Sequence, residues 1–298
     1  MEINAAVNKI SSLIHTEAST EVNKEDITTG KNSTWEDYKN KAIENYEINI
    51  LGWLNNNEVN RKSETKEKTN AKEKDEKINY NYSPDDEIVV GGLKTKFRNN
   101  IEAIKTLKVI EEENRLATPE EQKILAKYVG WGGMAQAFDI NSAGWNSEYT
   151  ELKALLSPEE YASARASTPN AHYTSPTVIE GIYKALENFG FKTGNILEPS
   201  MGVGNFFSML PDSMKNSKLY GVELDDISGR IAKQLYQKAD IKIQGFEENN
   251  YPDNFFDVAI GNVPFGDYKL HDPKYDKYNF LIHDYFFGIN FQVLQFLI

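Results

Sequence analysis

Apolar residues recur at helical spacing through the first half of the chain and give way to short apolar runs in the second. In residues 1–57, Ile10, Leu13 and Ile14 share one helical face, as do Trp35, Tyr38 and Ala42, so short helices are expected there. Residues 61–77 hold almost nothing but Lys, Glu, Asp, Thr and Asn. A segment without large apolar side chains cannot bury a core, and residues 58–84 are read as a disordered charged linker. Ile101, Ile104, Leu107 and Ile110 then form an amphipathic stripe. Thr118, Pro119 and Glu121 spell a capping box with proline in the first turn, and Ser157, Pro158 and Glu160 repeat it. The helix opened at Thr118 carries Ile124, Leu125 and Tyr128 and stops at Gly130, Trp131, Gly132 and Gly133. Trp131 is read as core, and residues 85–170 are expected to be mainly helical.

From Ala171 the pattern changes. A helix over 176–189 would carry Val178, Ile179, Ile182 and Leu186 on one face. Asn195, Ile196 and Leu197 read as a short buried strand, with a helix following at Phe206. Further strands are expected over 219–222, 241–243 and 256–260, with a helix over 227–236. Strands alternating with helices imply parallel pairing through crossover connections. The fold class is therefore α/β, a Rossmann-like sheet over 171–298 preceded by a helical N-terminal region.

Composition narrows the chemistry. The chain has 298 residues, no cysteine and a formal net charge of -12. Disulfides, thiolate zinc sites and cysteine nucleophiles are excluded. No signal-peptide pattern or membrane-span-length apolar stretch is visible, so a cytoplasmic protein without a membrane partner is expected. Proteins that hold DNA usually show a basic face. In so acidic a chain, any such face must be local or lie elsewhere.

Two loops carry candidate chemistry. The first runs Glu198, Pro199, Ser200, Met201, Gly202, Val203, Gly204, Asn205 at the end of the first strand. Gly202 and Gly204 let the backbone bend sharply and approach a ligand. Glu223 ends the second strand, where a carboxylate can accept both ribose hydroxyls. The dinucleotide fingerprint wants a third glycine where Phe207 stands, and no Walker lysine follows. A nucleoside without phosphates is the expected ligand. An ordinary strand–helix turn is the plain alternative.

The second loop is Asn262, Val263, Pro264, Phe265, after the fourth strand. The Asn262 carboxamide and the Val263 carbonyl are two acceptors for the hydrogens of an exocyclic amine. Phe265 can stack on a flat ring, as a base extruded from a duplex requires. The plain alternative here is a turn whose Asn caps the next helix. His271 and His283, beside Asp272 and Asp284, are read as solvent-facing and no metal is assigned. Asp257 is read as a structural acceptor, and Asp225 and Asp226 as caps of the helix at Ile227.

Taken together, Tyr173, Thr174, Ser175 and Pro176, then the glycine loop, Glu223 and Asn262 to Phe265 resemble the gamma-type amino methyltransferases of DNA. The resemblance implies S-adenosylmethionine as cofactor, adenine N6 as target and DNA as partner. It puts Thr174 near the methionine carboxylate and Phe246 against the cofactor adenine. Tyr128 to Asp139, Glu159 to Ser167 and His172 to Pro176 are similar to the large methyltransferase–helicase proteins of conjugative elements and phages. The chain departs from the family in three places. Val263 replaces a usual proline. Gly245 stands where relatives carry an acid, with Glu247 two places on. The family pattern stops after Asp284, Tyr285, Phe286 and Phe287, so a product truncated at its C-terminus is expected, lacking closing strands and a DNA-recognition region. A non-catalytic remnant and a protein-glutamine methyltransferase are the rival readings.

Overall fold

The computed structural model describes residues 76–86, 88, 91–169 and 174–293. The short helices expected in residues 1–57, most of the charged linker, and Tyr173 of the threonine–proline segment lie outside the described residues.

A parallel four-stranded sheet forms the centre: β1 (Asn195–Glu198), β2 (Lys218–Glu223), β3 (Asp240–Ile243) and β4 (Val258–Ala259). Their order is β3-β2-β1-β4. The chain steps outward from β1 to β3, then returns to the other side of β1. This is the first part of the doubly wound order, and its reversal opens a crevice at the carboxyl ends of β1 and β4. The register sets Leu197 beside Tyr220 and Ala259, which brings the ends of these strands level. Only two residues of β4 form ladder pairs. The Asp257 and Ile260 amides nonetheless donate to Asn195 and Leu197 on either side of them, so hydrogen bonding extends over most of the expected strand. Asp257 also accepts from the Asn195 amide at 2.7 Å, its carboxylate filling the space a side chain at Gly194 would take.

The helical region packs against the helix that follows β2. α1 (Leu93–Glu112) buries Ile101, Ile104, Leu107 and Ile110 as its stripe requires. α2 (Pro119–Leu125) and α4 (Pro158–Ser167) both open with the expected capping boxes. Between them lie the Gly130 turn and α3 (Asn146–Leu155). Trp131 is buried and meets Phe97, Tyr128 and Phe138 edge-on. α5 (Pro176–Asn188), α6 (Asn205–Ser208), α7 (Asp226–Leu235) and α8 (Ile282–Val293) follow.

Two expectations are corrected. In α5 the buried residues are Ile179 and Tyr183, while Val178 and Ile182 are 51% and 36% exposed. The helix is turned so that the Tyr183 hydroxyl donates to the Phe206 carbonyl at 2.8 Å, a bond that a purely apolar face could not provide. Residues 78–84, read as the end of a disordered linker, pack on the fold: the Tyr80 and Tyr82 amides donate to Leu235 and Ser208, and Tyr80 is buried. One apolar cluster runs from Tyr80 through α1 and Trp131 to β1 and Ile260, so helices and sheet share a core.

Candidate active site

The glycine loop is held from behind. The Met201 amide donates to Val222, and Met201 fills the space left by the missing side chain of Gly221 on β2. Gly204 sits at φ +82°, and a Cβ there would lie 2.5 Å from the Tyr236 ring. The Tyr236 hydroxyl donates to the Gly204 carbonyl at 2.5 Å. Phe207, which stands where the dinucleotide fingerprint wants a third glycine, is buried edge-on against Tyr236.

In front of the loop lies a cavity of about 430 Å³, within the size range of small-molecule sites. It is lined by Glu198, Pro199, Gly202 and Asn205, by Glu223 and Phe246, by Asn262, Val263, Pro264 and Phe265, and by Thr174. Of the sequence-selected residues only Gly204 is off this lining; its backbone shapes the loop from behind.

The electrostatics are unusual. Glu198 is 2% exposed, and its Oε2 has no hydrogen-bond partner. Burial, reinforced by the charge of Glu223, holds its carboxyl well above the ordinary range. The Gly202 amide donates to Glu223 Oε2 at 2.6 Å and the Asp225 amide to Oε1 at 2.7 Å. Burial outweighs those bonds and pushes Glu223 up to about 7. Each oxygen still has a second lone pair available to a ligand hydroxyl. Phe246 stacks one face on Phe286, at 5.1 Å and 13°.

The Asn262 side chain is exposed and makes no hydrogen bond among the described residues, so it is not spent as a helix cap. Its carbonyl accepts from the Ser200 hydroxyl at 3.2 Å, tying the two loops together. No backbone amide among the described residues donates to the Val263 carbonyl. Phe265 is 61% exposed at the mouth. The carboxylate of Glu247 occupies the space that a side chain at Gly245 would need, and both residues line the cavity.

Sequence reasoning missed one whole wall. Tyr128, Gly130, Ser163 and Ser167 come from the helical region. α4 is set there by Arg230 of α7, which pairs with Glu160 and Glu111, and by the Ser163 hydroxyl on Asp225. The Ser157 capping box signals α4 but not which neighbour it meets. Asp225 caps α7 by accepting from the Ser228 amide at 2.9 Å.

No protein-family model matches the chain. It is 30% identical over 151 residues to the defense against restriction protein B of Escherichia phage P1, covering 50% of this chain and 5% of that protein. It is 39% identical over 115 residues to the type II methyltransferase M.CvrRI of Paramecium bursaria Chlorella virus XZ-6E, covering 39% of this chain and 29% of that one. The chain is distantly related to both and spans less than a third of either. A putative class I S-adenosylmethionine-dependent methyltransferase from Listeria monocytogenes superimposes with a TM-score of 0.32 at 15% identity, covering 65% of this chain and 69% of that chain.

Proposed function

We propose that this chain carries an S-adenosylmethionine-dependent methyltransferase domain that methylates the exocyclic amino group of adenine in DNA. The observation that carries this reading is that one cavity is lined both by the buried Glu198 carboxyl, whose Oε2 has no hydrogen-bond partner among the described residues, with Glu223 beside it, and by the Asn262 carboxamide, which makes no hydrogen bond among the described residues. Relatedness to a type II methyltransferase and to a phage defense-against-restriction protein agrees with it.

The residues fit the cofactor. A ligand bearing an ammonium and a sulfonium suits a cavity whose buried carboxyl oxygen lacks a partner. Its ribose diol suits Glu223, and its adenine the free face of Phe246. When bound, the cofactor supplies a methyl group on positively charged sulfur, open to displacement.

Asn262 Oδ1 and the Val263 carbonyl would accept the two hydrogens of the adenine amine. That draws the nitrogen lone pair out of conjugation and aims it across the cavity. Phe265 would stack on the base, holding nucleophile and methyl in line. The carbon–sulfur bond would break as the nitrogen–carbon bond forms, leaving a neutral thioether, and the proton lost from the methylated nitrogen would pass to water; Asn262 and the Val263 carbonyl would hold the amine by hydrogen bonds.

The test is calorimetric titration with S-adenosylmethionine beside Glu223→Ala. We expect binding by the native chain and at least a tenfold loss in the variant. Tritiated-methyl transfer to adenine-containing DNA, but not to adenine-free DNA or a glutamine peptide, completes it. A folded chain that gives no binding heat would refute the reading in favour of a non-catalytic remnant; transfer to the peptide alone would reassign the target.

A further inference from the structure

At the cavity edge Phe265 is followed by residues 266–280, which carry three lysines and three aspartates among Tyr268, Tyr275, Tyr278 and Phe280. Tyr268 and Leu270 from this segment line the cavity, so whatever enters past Phe265 also crosses it. Tyr268 and Tyr278 are 45% and 55% exposed. The ring of Tyr268 lies over Gly266, where an added Cβ would stand 2.9 Å from it. Tyr278 stacks on Phe280 at 5.3 Å and 16°.

Lysines alternate with these rings. Lys269, Lys274 and Lys277 are exposed. Lys277 lies over the Tyr278 ring at 4.8 Å and Lys274 over Tyr275 at 5.3 Å, while Lys269 reaches Asn279. None of the three has a carboxylate partner among the described residues.

The segment's own acids are mostly spent internally. Asp272 accepts from the Lys274 amide at 2.9 Å and from the Tyr285 hydroxyl at 2.7 Å. Asp276 accepts from the Asp272 amide at 2.9 Å and pairs with His271 at 2.7 Å. Asp267 is exposed and has no such partner among the described residues. These bonds, and the Ile282 amide on the Tyr268 carbonyl at 2.9 Å, fix the segment to the start of α8.

We propose that residues 266–280 grip the DNA strand on either side of the target nucleotide. Lys269, Lys274 and Lys277 meet its phosphates, and Tyr268 and Tyr278 stack on unpaired neighbouring bases. Interleaved rings and cations are what a single strand asks of a protein: every base offers a π-face and every linkage a charge. The inference rests on the cavity being the target-base pocket, because a base drawn into it carries its flanking backbone across this rim.

The test uses the full chain and a short fluorescein-labelled, adenine-containing single-stranded DNA, read by anisotropy over a salt series. Calorimetry with S-adenosylmethionine runs in parallel. In the Lys269→Ala, Lys274→Ala, Lys277→Ala triple variant we expect weaker binding and a log–log salt slope shallower by about 2, from roughly 0.7 per lost phosphate contact. The matching triple Lys→Arg variant should restore the slope. Tyr278→Ala should lose roughly tenfold in affinity at unchanged slope. Cofactor binding should stay native in all three variants, since none of these residues touches the cavity. A triple Lys→Ala variant with native affinity and slope overturns the grip and leaves the cofactor reading intact. So does a native chain that binds cofactor but no DNA. Loss of cofactor binding by the native chain, with DNA binding still dependent on the lysines, would sink the enzyme reading and keep the grip.

Discussion

At the scale of single residues, the site depends on a glycine that does not touch the cavity. Gly204 combines a left-handed backbone with the Tyr236 ring at its back. Gly133 has a similar φ of +70° but nothing within 4 Å of a built Cβ. Comparing the two separates strain from collision. Gly133→Ala should cost about 1–2 kcal/mol, the strain of a left-handed L-residue. Gly204→Ala should cost clearly more, because the ring must also shift. Urea denaturation of both variants checks this, and equal costs would show that Tyr236 yields freely.

Glu223 gives a second residue-scale prediction. Its carboxyl is raised from 4.5 to about 7 by burial. Between those values the folded state holds a proton that the unfolded chain has released. The Glu223 contribution to stability of the ligand-free protein is therefore full below about 4.5 and is lost as pH rises through about 7. Glu223→Gln removes that component of the pH profile. A ligand whose hydroxyls need the ionised carboxylate behaves oppositely. Affinity for S-adenosylmethionine should rise with pH through about 7, by up to about tenfold per unit for each proton released. Calorimetry in buffers of different ionisation heat would count those protons, and a flat profile would contradict the assignment.

At the scale of elements, the fit of helix to turn and helix to loop matters more than propensity. Asn100 is fully buried in α1; its side chain donates to the Gly130 carbonyl at 2.6 Å and accepts from the Val129 amide at 2.9 Å. It pins the turn that presents Tyr128 and Gly130 to the cavity. Asn100→Ala leaves both backbone groups buried without partners, a loss of about 1–3 kcal/mol for each group left unsatisfied. Thermal unfolding should fall accordingly. The sequence marked the neighbouring apolar stripe and the capping boxes, because those signals are local. Asn100 carries no local signal, since its partners lie about one helix away in the chain. The rotation of α5 was hidden for a related reason. Val178 and Ile182 look like core by period, and only the position of the Phe206 carbonyl decides that Tyr183 faces in.

At the scale of the whole molecule, residues 74–298 group as one compact unit. Helices and sheet share one apolar cluster, and the Arg230 network crosses between them. Amides of α1 and β1 should therefore lose hydrogen-exchange protection in a single step as urea is raised. Separate steps would mean that the helical layer is an independent domain. Among the described residues no helix is long and apolar enough to cross a membrane. A net charge of -12 also means that any DNA-facing surface must be a local island, the role we propose for the lysines of residues 266–280.

The sequence by itself determined the class of fold, the order of strands and helices, both loops and the carboxylate that ends β2. Those features rest on period, capping and turn chemistry, which act over a few residues. Only the tertiary structure decided which residues meet. It put Gly204 behind its loop and Phe207 in the core, raised Glu198 and Glu223 by burying them together, and brought α4 and the Gly130 turn to the cavity wall. It also tied Asp272 to the Tyr285 hydroxyl and Asp276 to His271. Burial and long-range pairing depend on all the packed elements at once, and no window of sequence contains them.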